Sequence, residues 1–231
     1  MDDLVLFSTP LCPFAHRVRL VLSHKRLAAR VVSLDLQDKP ADFLAISPEG
    51  TVPALRHGAR GMSDSAVILE YLEERFPGVA MLPSDPLARA SARRWMRVAD
   101  ARLYGHTSRL LHSTDPAVHA AMLGAIEDDL IDLESTAFGD RPEGAGSGAS
   151  CDSYWLGAQL TLVDATYYPW FEQFGVLESF FGLRWPKRCE RLARWRDAMA
   201  RHPSVAAIAQ SSEFYLRRYG ALRDARLQRN G

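Results

Sequence analysis

Residues 4–24 read LVLFSTPLCPFAHRVRLVLSH, and this stretch predicts an α/β fold class. Its first part, residues 4–8, is a short apolar run of the kind that forms a buried strand. Pro13 then begins a helical pattern, because proline is favoured at the first helical position, where its missing N–H costs nothing. A second strand-like run follows at residues 29–34. Strand, helix and strand within about thirty residues form a βαβ unit, which makes the two strands parallel.

The helical pattern after Pro13 has two sides. Val18 and Val21 lie on an apolar side, whereas His16, Arg17 and Arg19 lie on the opposite, polar side. We therefore expect Arg17 at the surface of the protein or at an interface.

The rest of the first half continues with a short helix, a hairpin and an amphipathic helix. These elements are predicted at residues 40–45, at residues 52–56 and 60–63, and at residues 64–75. The order βαβ-ββα corresponds to a four-stranded mixed sheet, assigned to a domain of residues 1–78. After a stretch rich in proline and glycine, only helical patterns remain, which predicts an all-helical domain of residues 87–231. Its helices are predicted at residues 87–112, 116–137, 161–181, 187–201 and 204–219.

Composition excludes several classes of function. The 231 residues include 28 Lys and Arg and 28 Asp and Glu, so the chain has no overall basic field that would attract nucleic acid. No apolar run reaches the roughly 18–20 residues that cross a membrane, and the N-terminus lacks the basic and apolar regions of a secretory signal. We expect a soluble cytoplasmic protein without nucleic-acid or membrane partners.

The cysteines and histidines do not predict a metal site or a disulfide framework. Cys12, Cys151 and Cys189 form a sparse, odd set without C-x-x-C spacing, and no H-E-x-x-H motif occurs. Residues 139–153, which include Cys151, read GDRPEGAGSGASCDS and are typical of a flexible loop.

Cys12 carries the clearest chemical signal. It lies between the end of a strand and a helix that begins at Pro13, so its sulfur meets free backbone N–H groups and the positive end of the helix dipole. Such positions lower the pKa of a cysteine from about 8.5 to roughly 3.5–7.5, which predicts a reactive thiolate. The alternative is a buried structural cysteine. Ala15 occupies the place of a resolving cysteine, so any redox chemistry uses a single thiol of this chain.

Two further positions allow two interpretations each. Pro53 stands at the start of a strand, where a cis peptide bond after Val52 would expose backbone groups to a ligand, but an ordinary trans proline is statistically favoured. Asp64 and Ser65 precede a helix, where they form either a small anion-binding corner or simply a helix cap.

Together these motifs resemble the glutathione transferase superfamily, and the cysteine in CPFAHRVRLVL resembles its omega class. Supporting motifs are TVPAL at residues 51–55, DSA at 64–66, Lys39 before a proline, and TLVD at 161–164, which matches a helix-capping box. The resemblance implies a thioredoxin-like domain followed by a helical domain, Cys12 as nucleophile, and a homodimer. It also implies glutathione as co-substrate, held by Phe14, Lys39, Val52, Pro53, Asp64 and Ser65.

The activity implied by the resemblance is glutathione-dependent thiol transfer. It covers reduction of glutathione mixed disulfides or dehydroascorbate and cleavage of glutathionyl adducts, with a small, hydrophobic or disulfide acceptor. Aromatic residues at 167–171 are candidates for the acceptor wall or for core packing. The alternative function is non-enzymatic: a transferase-like fold that binds a partner, as in stringent-starvation proteins that bind RNA polymerase. A membrane-inserting, channel-like relative is disfavoured, because charges flank the apolar residues 18–22.

Overall fold

The computed structural model describes residues 3–137 and 153–230, with side chains described up to residue 225. The predicted loop at 139–153, apart from Ser153, and Cys151 lie outside the described residues. The first half of the chain contains four strands and three helices, in the predicted order. They are β1 (Leu4–Ser8), α1 (Pro13–His24), β2 (Ala29–Ser33), α2 (Ala41–Leu44), β3 (Ala54–His57), β4 (Arg60–Ser63) and α3 (Ser65–Arg75).

The four strands form one mixed sheet in the order β2-β1-β3-β4. β1 and β2 run parallel, as the βαβ pattern predicts, whereas β3 is antiparallel to both β1 and β4. Gly58, with φ of +58°, lies in the tight turn between β3 and β4, where the absence of a side chain permits this conformation. The predicted fold class of a four-stranded mixed sheet is confirmed.

The second half is helical. Its helices are α4 (Pro86–Ala99), a π-helical turn (Asp100–Tyr104), α5 (Gly105–His112), α6 (Pro116–Ala137), α7 (Leu162–Glu172), α8 (Phe174–Phe181), α9 (Glu190–Arg201), α10 (Pro203–Ala206) and α11 (Ser212–Asn230). Past residue 90 the described part of the chain holds one isolated β-bridge, between Tyr154 and Gly157, but no sheet strand. The exact domain limits, 1–78 and 87–231, remain a prediction. None of the described helices is long and apolar enough to cross a membrane.

The predicted helix at 204–219 is wrong in its limits. Pro203 begins the short α10, and a separate helix, α11, begins at Ser212. The hydroxyl of Ser211 accepts the backbone N–H of Phe214 at 3.1 Å, so a side-chain cap starts the second helix where the pattern suggested one continuous helix.

Helix α1 is buried on its polar side as well as on its apolar side, contrary to the expectation from its sequence. It packs against α3 and β-sheet residues on one side and against α7 on the other, so that one apolar core extends through both halves. As a result His16 and Arg17 are 0% and 1% exposed. Amphipathic periodicity identified the helix, but it did not reveal that a second layer covers its polar side.

Asp164 connects three segments of the helical half. Its carboxylate accepts the N–H and the hydroxyl of Thr161 at 2.8 and 2.6 Å, which closes the predicted capping box at the start of α7. It also accepts the backbone N–H of Trp155 and the indole N–H of Trp195, both at 2.7 Å. Four donors therefore converge on one fully buried carboxylate.

Two histidines meet where α1 contacts α10. The ring centroids of His24 and His202 lie 5.2 Å apart, and the hydroxyl of Ser23 donates to the Ser204 carbonyl at 2.8 Å across the same contact. Burial, and then the charges of His202, Lys25 and Arg26, lower the pKa of His24 to about 4. The contact therefore favours neutral His24.

We expect the protein to lose stability as the pH falls from about 6.5 to about 4. In this window the unfolded chain protonates His24 and the folded chain does not, so protons favour unfolding. His24→Gln should flatten the pH dependence of the urea midpoint across this window. The same substitution at exposed His112 controls for the loss of a histidine. An unchanged slope in His24→Gln would show that the contact has no part in acid sensitivity.

Candidate functional site

Cys12 is the N-cap residue of α1, as the sequence predicts. Its backbone N–H donates to the Thr9 carbonyl at 3.3 Å, which fixes the loop between β1 and the helix. The backbone N–H of Ala15 donates to the sulfur at 3.4 Å, and the thiol donates to the Val52 carbonyl at 3.4 Å. The sulfur is thus placed between the helix N-terminus and the segment that precedes β3.

The expected low pKa of Cys12 is wrong for the chain without a ligand. Burial raises the pKa of the thiol, and this effect exceeds the opposite effects of the Ala15 and Phe14 N–H groups and of the Arg19 and Arg17 charges. The hydrogen bond to the Val52 carbonyl also requires the protonated sulfur, so it favours the neutral form. The sequence pattern revealed the helix N-terminus but not the desolvation.

The segment before β3 contains the predicted cis bond. The Val52–Pro53 peptide is cis, which confirms this interpretation over an ordinary trans proline. β3 begins at Ala54, two residues later than predicted. Lys39 reaches the same segment, since its Nζ lies 2.8 Å from where a Cβ on Gly50 would be. Gly50 has φ of +64°, a left-handed conformation that favours glycine at this turn.

Asp64 and Ser65 lie at the start of α3. The Asp64 carboxylate accepts the N–H groups of Ala66 and Val67 at 2.8 and 3.3 Å, so the helix-cap interpretation is confirmed. Asp64 has φ of +74°, a left-handed conformation that is uncommon for a residue with a side chain and that concentrates at functional sites. Ser65 is buried, and its hydroxyl accepts from Arg17 at 3.4 Å.

Arg17 is a site residue whose role the sequence did not reveal. Its guanidinium is buried and pairs with Asp100 at 2.5 Å, and its Nε donates to the Thr166 carbonyl at 3.1 Å. It also lies over the rings of Phe14 and Tyr104, at 4.8 and 4.2 Å from their centroids. Arg17 therefore joins the start of α3 to the helical half, and the expected surface position is wrong.

The last helix, α11, reaches the loop that carries Cys12. The hydroxyl of Tyr219 donates to the side-chain oxygen of Gln173 at 2.8 Å, and the Gln173 amide donates to the Leu11 carbonyl at 3.2 Å. Burial, followed by the nearby Cys12, raises the pKa of Tyr219 to about 12. Tyr219 therefore lies close enough to Cys12 for their charges to interact, although more than 200 positions separate them in the chain.

The aromatic residues at 167–171 belong to the core. All of them are buried, and the Trp170 indole donates to the Thr107 hydroxyl at 2.8 Å within the helical half. Cys189 is also buried, and burial raises its pKa to about 11, so a reactive thiolate is not expected there. The residues described by the structure include no group of three side chains suited to a metal ion.

Known proteins match the chain over both halves. Residues 6–80 match the family model of the glutathione S-transferase N-terminal domain, and residues 116–198 match that of the C-terminal domain. A probable glutathione S-transferase GSTU1 of Oryza sativa subsp. indica is 31% identical over 220 residues, which cover 91% of each chain. Glutathione S-transferase omega-1 of Sus scrofa is 26% identical over 204 residues, covering 88% of this chain and 79% of the pig protein.

The chain is also similar to a solved glutathione transferase structure and to a relative that is not named as a transferase. The crystal structure of rice GST1 in complex with glutathione has a TM-score of 0.84, 29% identity and 97% coverage of both chains. A stringent starvation protein A homolog of Coxiella burnetii is 26% identical over 93% of this chain and 95% of its own. The chain belongs to the glutathione transferase superfamily, and an omega-class protein is among its relatives.

Proposed function

We propose that this protein is a glutathione-dependent thiol transferase with Cys12 as its nucleophile. The observation that carries the proposal is the position of the Cys12 sulfur. It accepts the N–H of Ala15 at a helix N-terminus and lies 3.4 Å from the Val52 carbonyl. Membership of the superfamily supports glutathione as the co-substrate, and the cysteine distinguishes the chain from relatives that use a hydroxyl.

Glutathione would lie extended along the segment before β3, with backbone hydrogen bonds like those of an added strand. Lys39 would bind its glycine carboxylate, and Asp64 and Ser65 its γ-glutamyl end. Arg17 would hold the Ser65 hydroxyl in place. The proposed glutathione-binding residues are Phe14, Lys39, Val52, Pro53, Asp64 and Ser65.

The proposed reaction is two successive thiol–disulfide exchanges. The Cys12 thiolate attacks the glutathionyl sulfur of a mixed disulfide, the Cys12–glutathione disulfide forms, and the other thiol leaves as a thiolate that takes a proton from water. A glutathione thiolate then attacks the bound glutathionyl sulfur, which releases oxidised glutathione and regenerates the Cys12 thiolate. Reduction of dehydroascorbate and cleavage of glutathionyl adducts are further proposed uses of the same thiolate.

The acceptor would occupy the side of Cys12 that faces the helical half. Phe14 and Tyr219, which are both half-buried, provide aromatic surface near the sulfur. They replace the residues at 167–171 as candidates for the acceptor wall. A small, hydrophobic or disulfide acceptor suits this mostly apolar side. The cytoplasm, where thiols stay reduced, is the proposed compartment.

The proposal is tested by retention on immobilised glutathione followed by a thiol-transfer assay with a glutathione mixed disulfide. We expect both retention, reversed by free glutathione, and turnover. A chain that neither binds glutathione nor transfers thiols would favour the non-enzymatic binding protein that the sequence left as the alternative. Retention without turnover would refute the thiol-transferase activity but leave glutathione binding intact.

Binding of S-methylglutathione is expected to lower the pKa of Cys12 by about one unit or more. In the proposed pose the cysteinyl N–H of the ligand donates to the Val52 carbonyl and displaces the Cys12 thiol, which removes a contact that favours the protonated sulfur. The measurement is a pH titration of thiolate ultraviolet absorption with and without ligand, using Cys12→Ser as the blank. Calorimetric binding without a change of pKa would contradict this displacement.

We also propose a homodimer in which α3 of one subunit packs against the helical half of its partner. Val67 on α3 and Leu87 on α4 are 54% and 80% exposed, which leaves apolar surface on both elements. Sedimentation at micromolar concentration should give twice the mass of one chain, and Val67→Arg should give a single-chain mass. A single-chain mass for the unmodified protein would overturn the proposal.

A further inference from the structure

Arg19 lies two helical turns after Cys12, on the same side of α1. In a helix, long side chains point back toward the N-terminus, so a side chain at this spacing can reach the capping residue. The Arg19 guanidinium does so through one Nη atom, which donates to the Ser8 hydroxyl at 2.9 Å and to the Thr9 carbonyl at 3.3 Å.

The Thr9 carbonyl is shared by Arg19 and Cys12. It accepts the backbone N–H of Cys12 at 3.3 Å and the Arg19 guanidinium at the same distance. One oxygen atom therefore joins the cation to the backbone of the residue that carries the thiol. This arrangement fixes the guanidinium beside the Cys12 loop instead of leaving it free in solvent.

Arg19 forms no ion pair with a carboxylate in the part of the chain that the structure describes. Its hydrogen bonds go to a hydroxyl and a carbonyl, and in residues 3–137 and 153–225 no acidic group lies within ion-pair distance of it. Arg17, the other nearby cation, is paired with Asp100. The guanidinium of Arg19 remains protonated at neutral pH, so it is a positive charge beside Cys12 that no ion pair in these residues neutralises.

Other ionisable groups also face this region. Glu172 of α7 is half-buried there: burial raises the pKa of its carboxyl, the Arg19 charge lowers it, and the two groups are close enough to interact without forming an ion pair. Tyr215 and Tyr219 of α11 have their pKa values raised by burial and stay neutral, and burial lowers the pKa of His16 to about 3. None of these groups supplies a second cation. The positive field at the sulfur therefore comes from α1 itself, through its N-terminus, Arg19 and, to a smaller extent, Arg17.

We propose that Arg19 is a positioning residue that stabilises the Cys12 thiolate by its charge and holds the loop before Cys12 by its hydrogen bonds. Any effect of Arg19 on the rate of turnover rests on the proposed thiol transfer. Its effect on the ionisation of Cys12 is independent of that proposal, because the ionisation can be measured without glutathione. Once bound glutathione has displaced the thiol from the Val52 carbonyl, the Arg19 charge would favour the ionised sulfur.

The test is the pH dependence of Cys12 alkylation by iodoacetamide, followed on the Cys12 peptide by mass spectrometry. Arg19→Gln keeps a hydrogen-bond donor but removes the charge. It should shift the midpoint upward by about one pH unit, which corresponds to about tenfold slower alkylation at neutral pH. Arg19→Lys keeps the charge and should stay within about threefold of the unmodified chain.

Arg30→Gln is the matched control, because it removes one exposed positive charge on β2 and should leave the midpoint unchanged.

An unshifted midpoint in a folded Arg19→Gln chain would overturn the proposal. Equal shifts in the Gln and Lys variants would also overturn it, since they would assign the effect to loop geometry alone. If Arg19→Gln does not fold, Arg19→Lys decides: because it keeps the charge, a midpoint displaced by about one pH unit refutes the charge role. Absence of thiol transfer in the unmodified chain, with these shifts present, would refute only the proposed function.

Discussion

Replacing Cys12 with serine is expected to lower the kcat/KM of thiol transfer at least about a hundredfold, or roughly 3 kcal/mol of barrier. A hydroxyl cannot form the mixed disulfide that the proposed reaction requires. The fold should survive, because serine is a favoured N-cap residue and its oxygen can accept the Ala15 N–H that the sulfur now accepts. Glutathione binding should therefore persist, which separates loss of chemistry from loss of structure.

Steady-state kinetics of the unmodified chain and of Cys12→Ser measure the change in kcat/KM. Calorimetry measures whether both chains still bind glutathione. Cys189→Ala removes the buried cysteine of the helical half and controls for the loss of a thiol. The serine variant can also acquire weak conjugating activity, because a hydroxyl can hydrogen-bond the thiolate of glutathione itself. If Cys12→Ser keeps kcat/KM within about threefold of the unmodified chain, under 1 kcal/mol, Cys12 is not the nucleophile.

Asp164→Ala is expected to lower the free energy of unfolding by about 3–5 kcal/mol. The substitution removes the buried acceptor of hydrogen bonds from Thr161, Trp155 and Trp195. Each buried donor without a partner costs roughly 1–3 kcal/mol, and several are released at once. Denaturant unfolding followed by tryptophan fluorescence measures the change.

Asp85→Ala is the matched control for Asp164→Ala. Asp85 also caps a helix, accepting the N–H of Ala88 at 2.7 Å, but it is exposed, so water replaces its carboxylate and the expected cost is only about 1 kcal/mol. Equal losses in the two variants would mean that capping alone explains Asp164, and that its contacts with the two tryptophans contribute little.

Local features of the chain were readable from the sequence because their causes are local. The strand at residues 4–8, the helix start at Pro13, the N-cap position of Cys12 and the capping role of Asp64 depend on neighbours within a few positions. The mixed sheet followed from the same signals, since a βαβ unit admits only parallel strands for its pair.

The surroundings of Cys12 could not be read in this way. The resemblance to glutathione transferases indicated that Val52, Lys39 and Ser65 gather around Cys12, but not that the thiol donates to the Val52 carbonyl and stays neutral without a ligand. Desolvation of the thiol depends on all the atoms packed near the sulfur. A short sequence motif does not specify their combined effect on its pKa.

The sequence alone determined the order of elements, the class of fold, the superfamily and the position of Cys12 at a helix N-terminus. Only the tertiary structure decided that Arg17 is buried against Asp100, and that Tyr219 approaches Cys12 through Gln173. The physical reason is that secondary structure and caps follow from short-range preferences. Burial, ion pairing and the ionisation of a thiol instead depend on segments that meet only after α1 is enclosed between the two halves of the chain.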